Sequence, residues 1–460
     1  MKELGILLFA LLTISGSCQS GNRFLIRIEA NTTGYDTLFL RELITERILA
    51  KVPLNKWKTD YAFTIDAITP GVLTVAGSDT EYLTLIRPGV RKAIRVDSGA
   101  IRTLNAIPDS LINFLFKSTN QMFSQHGNVI FAQDNPAKVK SLFDSLVQTR
   151  QEQLIKFKPR LTEEEYGLLD YQNKARAYSF LMFYGRIVKR YEPDDDFFAF
   201  ISKIDNETIF SKSLPQNVLY KYEIMLLKQK GTIDSINDFL AFIETQTTNK
   251  DLEAFFKAIY LNDVIESPSY WKRHEQLFTA TTIRDALRRE SANPYGYLIQ
   301  KSSESFYASQ RGVKGYDFTA SGLDGTTIRL SDFRNKVVVI DTWATWCGPC
   351  VQQRPAMIEL AKAYQDVPDV VFLMVSVDKD VERWKKYALQ TNNHQYGMDV
   401  IIPDGMNGEF GNKYLVKAIP KYILIDKDGI IIDPNLSEPS LNMKQRIERA
   451  VKKSQPATAK

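Results

Sequence analysis

Sulfur and imidazole are scarce in this chain: its 460 residues include three cysteines and three histidines. So few cysteines argue against a disulfide-stapled scaffold. One C-x-x-C pair without a second falls short of the four ligands that structural zinc takes as a rule, and His126, His274 and His394 are scattered, so no metal is expected. Charge of one sign is missing too. Fifty-nine basic against fifty-four acidic residues leave +5, with no long lysine or arginine stripe, and a nucleic-acid partner is not expected. The apolar run at the start, residues 4–14, is too short to span a bilayer as a mature helix. What remains is ordinary globular composition, 44% hydrophobic and 25% charged, over a length that allows about three domains at ~150 residues each.

Residues 1–18 differ from the rest. Lys2 precedes the apolar run, Ser15, Gly16 and Ser17 follow it, and then comes Cys18, the plan of a secretory signal peptide. The cysteine directly behind small residues resembles a bacterial lipobox, although Ser15 stands where an aliphatic residue is usual. That resemblance implies that Cys18 takes up lipid and holds the protein to a membrane, each buried methylene contributing about 0.8 kcal/mol. Plain secretion by cleavage near Ser17 is the alternative. Export places the chain in an oxidising compartment. If Cys18 carries lipid, Cys347 and Cys350 are the only possible internal disulfide. A bridge closing so short a loop would scarcely restrain a chain of this length, so a structural staple makes little sense.

Three textures follow one another, and a multidomain fold is expected. Residues 22–105 read as short strands: "RFLIRIEA" sets Phe24, Ile26 and Ile28 against polar neighbours, and "DTLFLREL", "YAFTIDAI", "GVLTVAG" and "YLTLIRPG" follow between turn residues. A small antiparallel β-sandwich is expected. Residues 106–310 show helical spacing, as at Val139, Leu142, Phe143 and Leu146, with no fixed-period repeat. Thr162 and Glu165 make a capping-box pattern, with Leu161 and Tyr166 spaced as a hydrophobic staple. Pro193 and Pro215 read as breaks in a helical middle domain, and residues 301–315 as a linker. From 313 to 450 strand and helix alternate: "KVVVIDTWA" is a strand for the middle of a sheet, a helix starts near Pro349, "VVFLMVSVD" is a second buried strand, and Asp428-Gly429 turns a hairpin. Residues 451–460 read as a disordered tail.

The chemistry sits in "WCGPC", Trp346 to Cys350. A thiolate is the attacking species, and a thiol with pKa near 8.5 is mostly protonated at neutral pH. Cys347 falls where a strand ends and a helix begins, so the helix dipole and free amides favour its charged form. Cys350, one turn on, can resolve a mixed disulfide formed at Cys347. Pro349 suits a first helical turn.

This motif is the thioredoxin signature. Residues 313–450, with the lead-in "GYDFTASGLDGTTIRLSDFRNKVVVIDTWATWCGPC", resemble the membrane-tethered thiol–disulfide oxidoreductases of the TlpA and ResA kind. The resemblance implies an α/β thioredoxin fold, and an enzyme that reduces disulfides of envelope client proteins without a cofactor. A membrane-bound electron donor would restore it on the periplasm-facing side. Asp341 stands at the position of the buried acid in thioredoxins, where many TlpA-like proteins have none, and that likeness implies that it exchanges a proton with Cys350 and favours a reductase. The resemblance makes Pro420 a cis-proline that leaves the Ile419 backbone free to pair with a client, and it puts Trp346, Gly348 and Pro349 at the client surface. Two positions depart from the pattern. Asn335 replaces a common glycine, and Gln353 stands where related proteins often carry a glutamate. A disulfide oxidase or isomerase of the same fold remains an alternative, as does a binding lipoprotein with an accessory redox domain. A peroxidase of the Pro-x-x-x-Thr-x-x-Cys kind does not fit, since Ile340 and Ala344 occupy those places.

Overall fold

The computed structural model describes residues 23–30, 37–42, 48–53, 59–64, 72–76, 81–86, 91–97, 100–104, 107–132, 135–204, 214–390, 395–402 and 404–453. The leader with Cys18, His394 and the last residues of the tail lie outside them. The chain divides into two compact units, residues 1–228 and 229–460.

The first unit opens with β1 (Arg23–Ala30), β2 (Thr37–Glu42), β3 (Ile48–Pro53), β4 (Thr59–Thr64), β5 (Val72–Ala76), β6 (Glu81–Leu85), β7 (Arg91–Asp97) and β8 (Ala100–Thr103). They form two four-stranded sheets, β4-β1-β7-β8 and β3-β2-β5-β6. Ile26 and Ile28 of the first sheet and Leu38, Leu40 and Val52 of the second are buried in one cluster. The pairing departs from the antiparallel expectation in one place: β1 and β7 run parallel, with Leu25 opposite Arg91. Consecutive hairpins cannot make such a pair, because parallel strands need a long connection between them.

Four helices follow: α1 (Ile107–Ala132), α2 (Pro136–Phe157), α3 (Glu163–Phe183) and α4 (Leu214–Lys230). The buried Asp109 carboxylate fastens α1 to the strands, accepting from Thr84 Oγ1 at 2.7 Å, the Leu85 amide at 2.8 Å and Lys92 Nζ at 2.6 Å. Thr162 and Glu165 cap α3 reciprocally, and Leu161 and Tyr166 both pack on the cluster beneath. Pro215 lies in the first turn of α4, not between helices.

The second unit begins with α5 (Ile236–Gln246), α6 (Lys250–Glu266), α7 (Ala280–Arg289) and α8 (Gly296–Ala308). The stretch expected as a linker from 301 is helical as far as Ala308. Its serines look like loop residues, yet Ser302 and Ser305 are buried and donate to the Ile299 and Lys301 carbonyls at 3.1 and 2.9 Å within the helix.

Beyond it lie β9 (Thr319–Gly322), β10 (Thr327–Arg329), β11 (Val337–Trp343), α9 (Gly348–Lys362), β12 (Val370–Ser376), α10 (Val381–Gln390), β13 (Met398–Ile401), α11 (Glu409–Lys413), β14 (Lys421–Ile425), β15 (Ile431–Leu436) and α12 (Leu441–Lys453). The strands form one sheet, β10-β9-β13-β12-β11-β14-β15. β11 lies between parallel β12 and antiparallel β14, and all seven of its residues are buried. Both faces are covered, so the strand is apolar almost throughout. Val337, Val339 and Trp343 share a cluster with Met357 of α9 and Met443 and Ile447 of α12, while Val338 and Ile340 belong to the opposite face with Phe410 and Tyr414. Residues 451–453 are helical, not tail, since Ala450 and Val451 still pack on the core. Asn335 has φ 66°, a left-handed conformation that asparagine tolerates in place of glycine. Gly429 turns the β14–β15 hairpin with φ 79°.

Candidate active site

β11 ends at Trp343 and α9 begins at Gly348, so four residues make the turn between them. Asp378, buried just past β12, holds that turn: the Thr345 amide and hydroxyl donate to its two carboxylate oxygens at 2.9 and 2.7 Å. Cys347 is the N-cap of α9, its sulfur accepting from the Cys350 amide at 3.2 Å. Cys347 and Cys350 are joined in a disulfide with Cα atoms 5.2 Å apart. The bridge is nearly covered, 5% and 4% exposed, whereas Trp346 beside it is 56% exposed and Gly348 and Pro349 also lie at the surface. A sulfur charge formed at Cys347 would face the free amides and positive end of the helix.

The 415–421 loop covers the other side. Its Ile419–Pro420 bond is cis, and the Ile419 carbonyl oxygen lies 3.6 Å from Cys347 Sγ. Ile419 and Pro420 are half-buried.

On the sheet face that packs against α9, strand register sets four side chains in a row. Asp341 is opposite Tyr422 on β14 and Met374 on β12, and Met374 is opposite Asp399 on β13. Opposed residues share a face of the sheet, here the face that α9 covers. Arg354, one turn past Cys350, reaches down into this row. Its Nη2 lies 2.5 Å from Asp399 Oδ1, and its guanidinium stacks 3.8 Å from the ring centre of Trp343. Burial pushes the Asp341 carboxyl up to about 7; the Arg354 charge holds it down and the Asp399 charge adds to the rise. Burial, followed by the Asp341 and Glu438 charges, also pushes the Tyr422 phenol well above its ordinary range. Tyr422 donates to Gln353 Oε1 at 2.7 Å, and Gln353 Nε2 donates to Glu438 at 3.0 Å. A carboxylate, that of Glu438, thus lies beside position 353.

Every site residue expected in this domain falls within the arrangement: Cys347, Cys350, Asp341, Trp346, Gly348, Pro349, Ile419 and Pro420. Arg354, Asp378 and Asp399 were not expected. In the sequence, the i, i+4 spacing of Cys350 and Arg354 is the one signal that could have placed Arg354 on the same helix face as the cysteine. His274 is elsewhere, buried among Phe239, Trp271 and Phe278.

A family model for Redoxin matches residues 310–450. The thiol–disulfide oxidoreductase ResA of Bacillus thuringiensis subsp. konkukian (strain 97-27) is 30% identical over 145 residues, which is 32% of this chain and 79% of that protein. The chain belongs to the ResA-like thiol–disulfide oxidoreductases. The thioredoxin-like protein YneN of Bacillus subtilis (strain 168) is 31% identical over 30% of this chain and 77% of its own length. The thioredoxin domain of a thiol–disulfide oxidoreductase from Bacteroides vulgatus is 24% identical, with a TM-score of 0.28, and the match covers 30% of this chain and 96% of that one. In this ResA-like oxidoreductase the matched residues are the last third of the chain, and the sheets and helices before residue 310 lie outside the match.

Proposed function

We propose that this oxidoreductase reduces disulfide bonds of client proteins at the bacterial cell envelope. The supporting observation is the Cys347–Cys350 bridge at the start of α9, together with the Asp341 carboxyl buried on the strand that leads into it. In the dithiol form, the Cys347 thiolate attacks one sulfur of the client disulfide. A bond forms between them, and the other client sulfur leaves as a thiolate and takes a proton. Cys350 gives its proton to Asp341 and attacks Cys347 Sγ. The mixed disulfide breaks, the second client sulfur leaves, and the bridge closes, two electrons having passed to the client. A carboxyl that titrates near neutral pH can both accept that proton and release it.

In this reading Trp346, Gly348 and Pro349 form the client-facing rim, and the Ile419 backbone pairs with an extended client segment as an edge strand would. A membrane-bound electron donor returns the two electrons. Lipid on Cys18 anchors the chain, and the strands of residues 22–105 and the helices of residues 106–310 precede the redox domain. The anchor is checked by labelling with a lipid precursor, which Cys18→Ser should abolish.

The direction of transfer rests on Gly-Pro between the cysteines, the dipeptide of thioredoxin, whose potential is about −270 mV. Equilibration with glutathione should place this couple near that reducing end. A value above about −180 mV, the range of isomerases and oxidants, would overturn the assignment. In the native host, Cys350→Ala should leave clients trapped on Cys347 as mixed disulfides that mass spectrometry can identify.

A further inference from the structure

The loop that carries Pro420 is held from both ends. On the inside, Lys421 Nζ donates to the Leu415 carbonyl at 2.9 Å and so closes the 415–421 segment on itself; Leu415 takes a left-handed conformation, φ 50°, at the point of closure. On the outside, Lys417 Nζ lies 2.5 Å from Glu266 Oε2, the last residue of α6. Between these two fastenings a cavity of about 160 Å³ is lined by Ile265 of α6, Phe306 of α8 and Leu415 and Lys421 of the loop. The loop is therefore positioned by helices that precede the matched redox domain, as well as by its own sheet.

We infer that Glu266 and Lys417 form a strut through which α6 sets the position of the 415–421 loop, making Glu266 a positioning residue for the client-binding backbone at Ile419. The inference rests on the reading that this backbone pairs with the client. The Ile419 carbonyl lies two residues beyond Lys417 and 3.6 Å from Cys347 Sγ, so a displacement of the loop moves the pairing edge relative to the attacked sulfur. Both members of the ion pair are about one-quarter exposed, which keeps the pair modest and its removal compatible with folding. Near it, the Lys421 amine is pushed down to about 8 by burial and by the Lys417 charge. Glu266 offsets that charge, so its loss would leave two cations facing each other within one short loop.

The full-length dithiol protein would be assayed on a disulfide-containing extended peptide and on hydroxyethyl disulfide, which has no backbone to pair. E266Q should raise KM for the peptide about fivefold, the equivalent of about 1 kcal/mol, with kcat little changed. Its turnover of the small disulfide should stay at the wild-type value. The charge-swapped protein E266K/K417E should recover the peptide KM. An unchanged peptide KM in E266Q, an equal loss on both substrates, or no recovery in the swap would each refute the strut. If the wild-type protein handled the peptide no better than the small disulfide, the client-pairing reading itself would fail and the strut with it.

Discussion

Asp341 is a carboxyl group buried on β11, an inner strand of the sheet, and its burial works against the stability of the fold. Unfolded, it ionises near its ordinary value of 3.8; folded, near 7. Between those values the unfolded chain binds fewer protons than the native one, so stability falls as pH rises from about 4 to 7 and stays reduced above. Three pKa units correspond to roughly 4 kcal/mol. Asp341→Asn removes the titration. At pH 8 it should melt above the wild type by several degrees, while at pH 4 the two should nearly coincide. The same variant should resolve mixed disulfides more slowly, since Cys350 loses its proton acceptor. A stabilised variant of full activity would show that Asp341 takes no part in proton transfer.

Arg354 and Asp399 present the opposite arithmetic. Each is buried and compensated by the other. Removing one partner leaves a charge without its counterion in a low-dielectric site, which costs about 3–5 kcal/mol, whereas replacing both by apolar groups is often neutral. Arg354→Met should therefore destabilise strongly, and R354M/D399L should regain most of the loss in urea denaturation. Because the Arg354 charge holds the Asp341 carboxyl down, Arg354→Met should also raise the pH at which Asp341 titrates above 7.

At the scale of elements, a short helix decides where the Pro420 loop starts. Gly411 lies in α11, where an added Cβ would come 1.8 Å from the Met406 carbonyl oxygen, a backbone atom that cannot swing aside. Gly411→Ala should displace α11 and the Val416 amide, which donates to the Gly411 carbonyl at 2.7 Å. Loss of stability with a raised peptide KM is the expected outcome in thermal melts and peptide turnover. Normal behaviour on both counts would mean that α11 does not set the loop. Glycine at 411 carries no signal in the sequence, because its constraint is a contact made by the preceding turn. The same distinction separates what could be read from what could not. β11 and α9 were legible because an unbroken apolar strand, Cys347 as cap and Pro349 in the first turn are adjacent in the chain. The row Tyr422–Asp341–Met374–Asp399 was not, because four strands distant in sequence must first pair in register. β7 escaped notice for a local reason: Arg91, Lys92, Arg95 and Asp97 mask the buried alternation of Ile94 and Val96. Ser302 and Ser305 misled in the other direction, being polar residues whose hydroxyls are satisfied inside a helix.

At the scale of the whole molecule, the chain has two compact units, each with a core of its own. Ile26, Leu38 and Ile94 belong to one, and Val337, Met357 and Ile447 to the other. The redox bridge lies in the second unit alone. Reduction therefore changes the free energy of one unit directly. Closing the cycle of folding and reduction gives the sign: every 30 mV by which the folded couple lies below the unfolded one makes the oxidised fold about 1.4 kcal/mol more stable than the reduced fold. A strong oxidant shows the reverse, because its reduced form is the stabilised one. Scanning calorimetry should accordingly resolve two transitions. Dithiothreitol should lower the midpoint of the one that contains residues 229–460 and leave the other in place. A rise in that midpoint on reduction would reverse the direction of electron flow proposed for the enzyme, and a shift of both transitions together would show that the two units unfold as one.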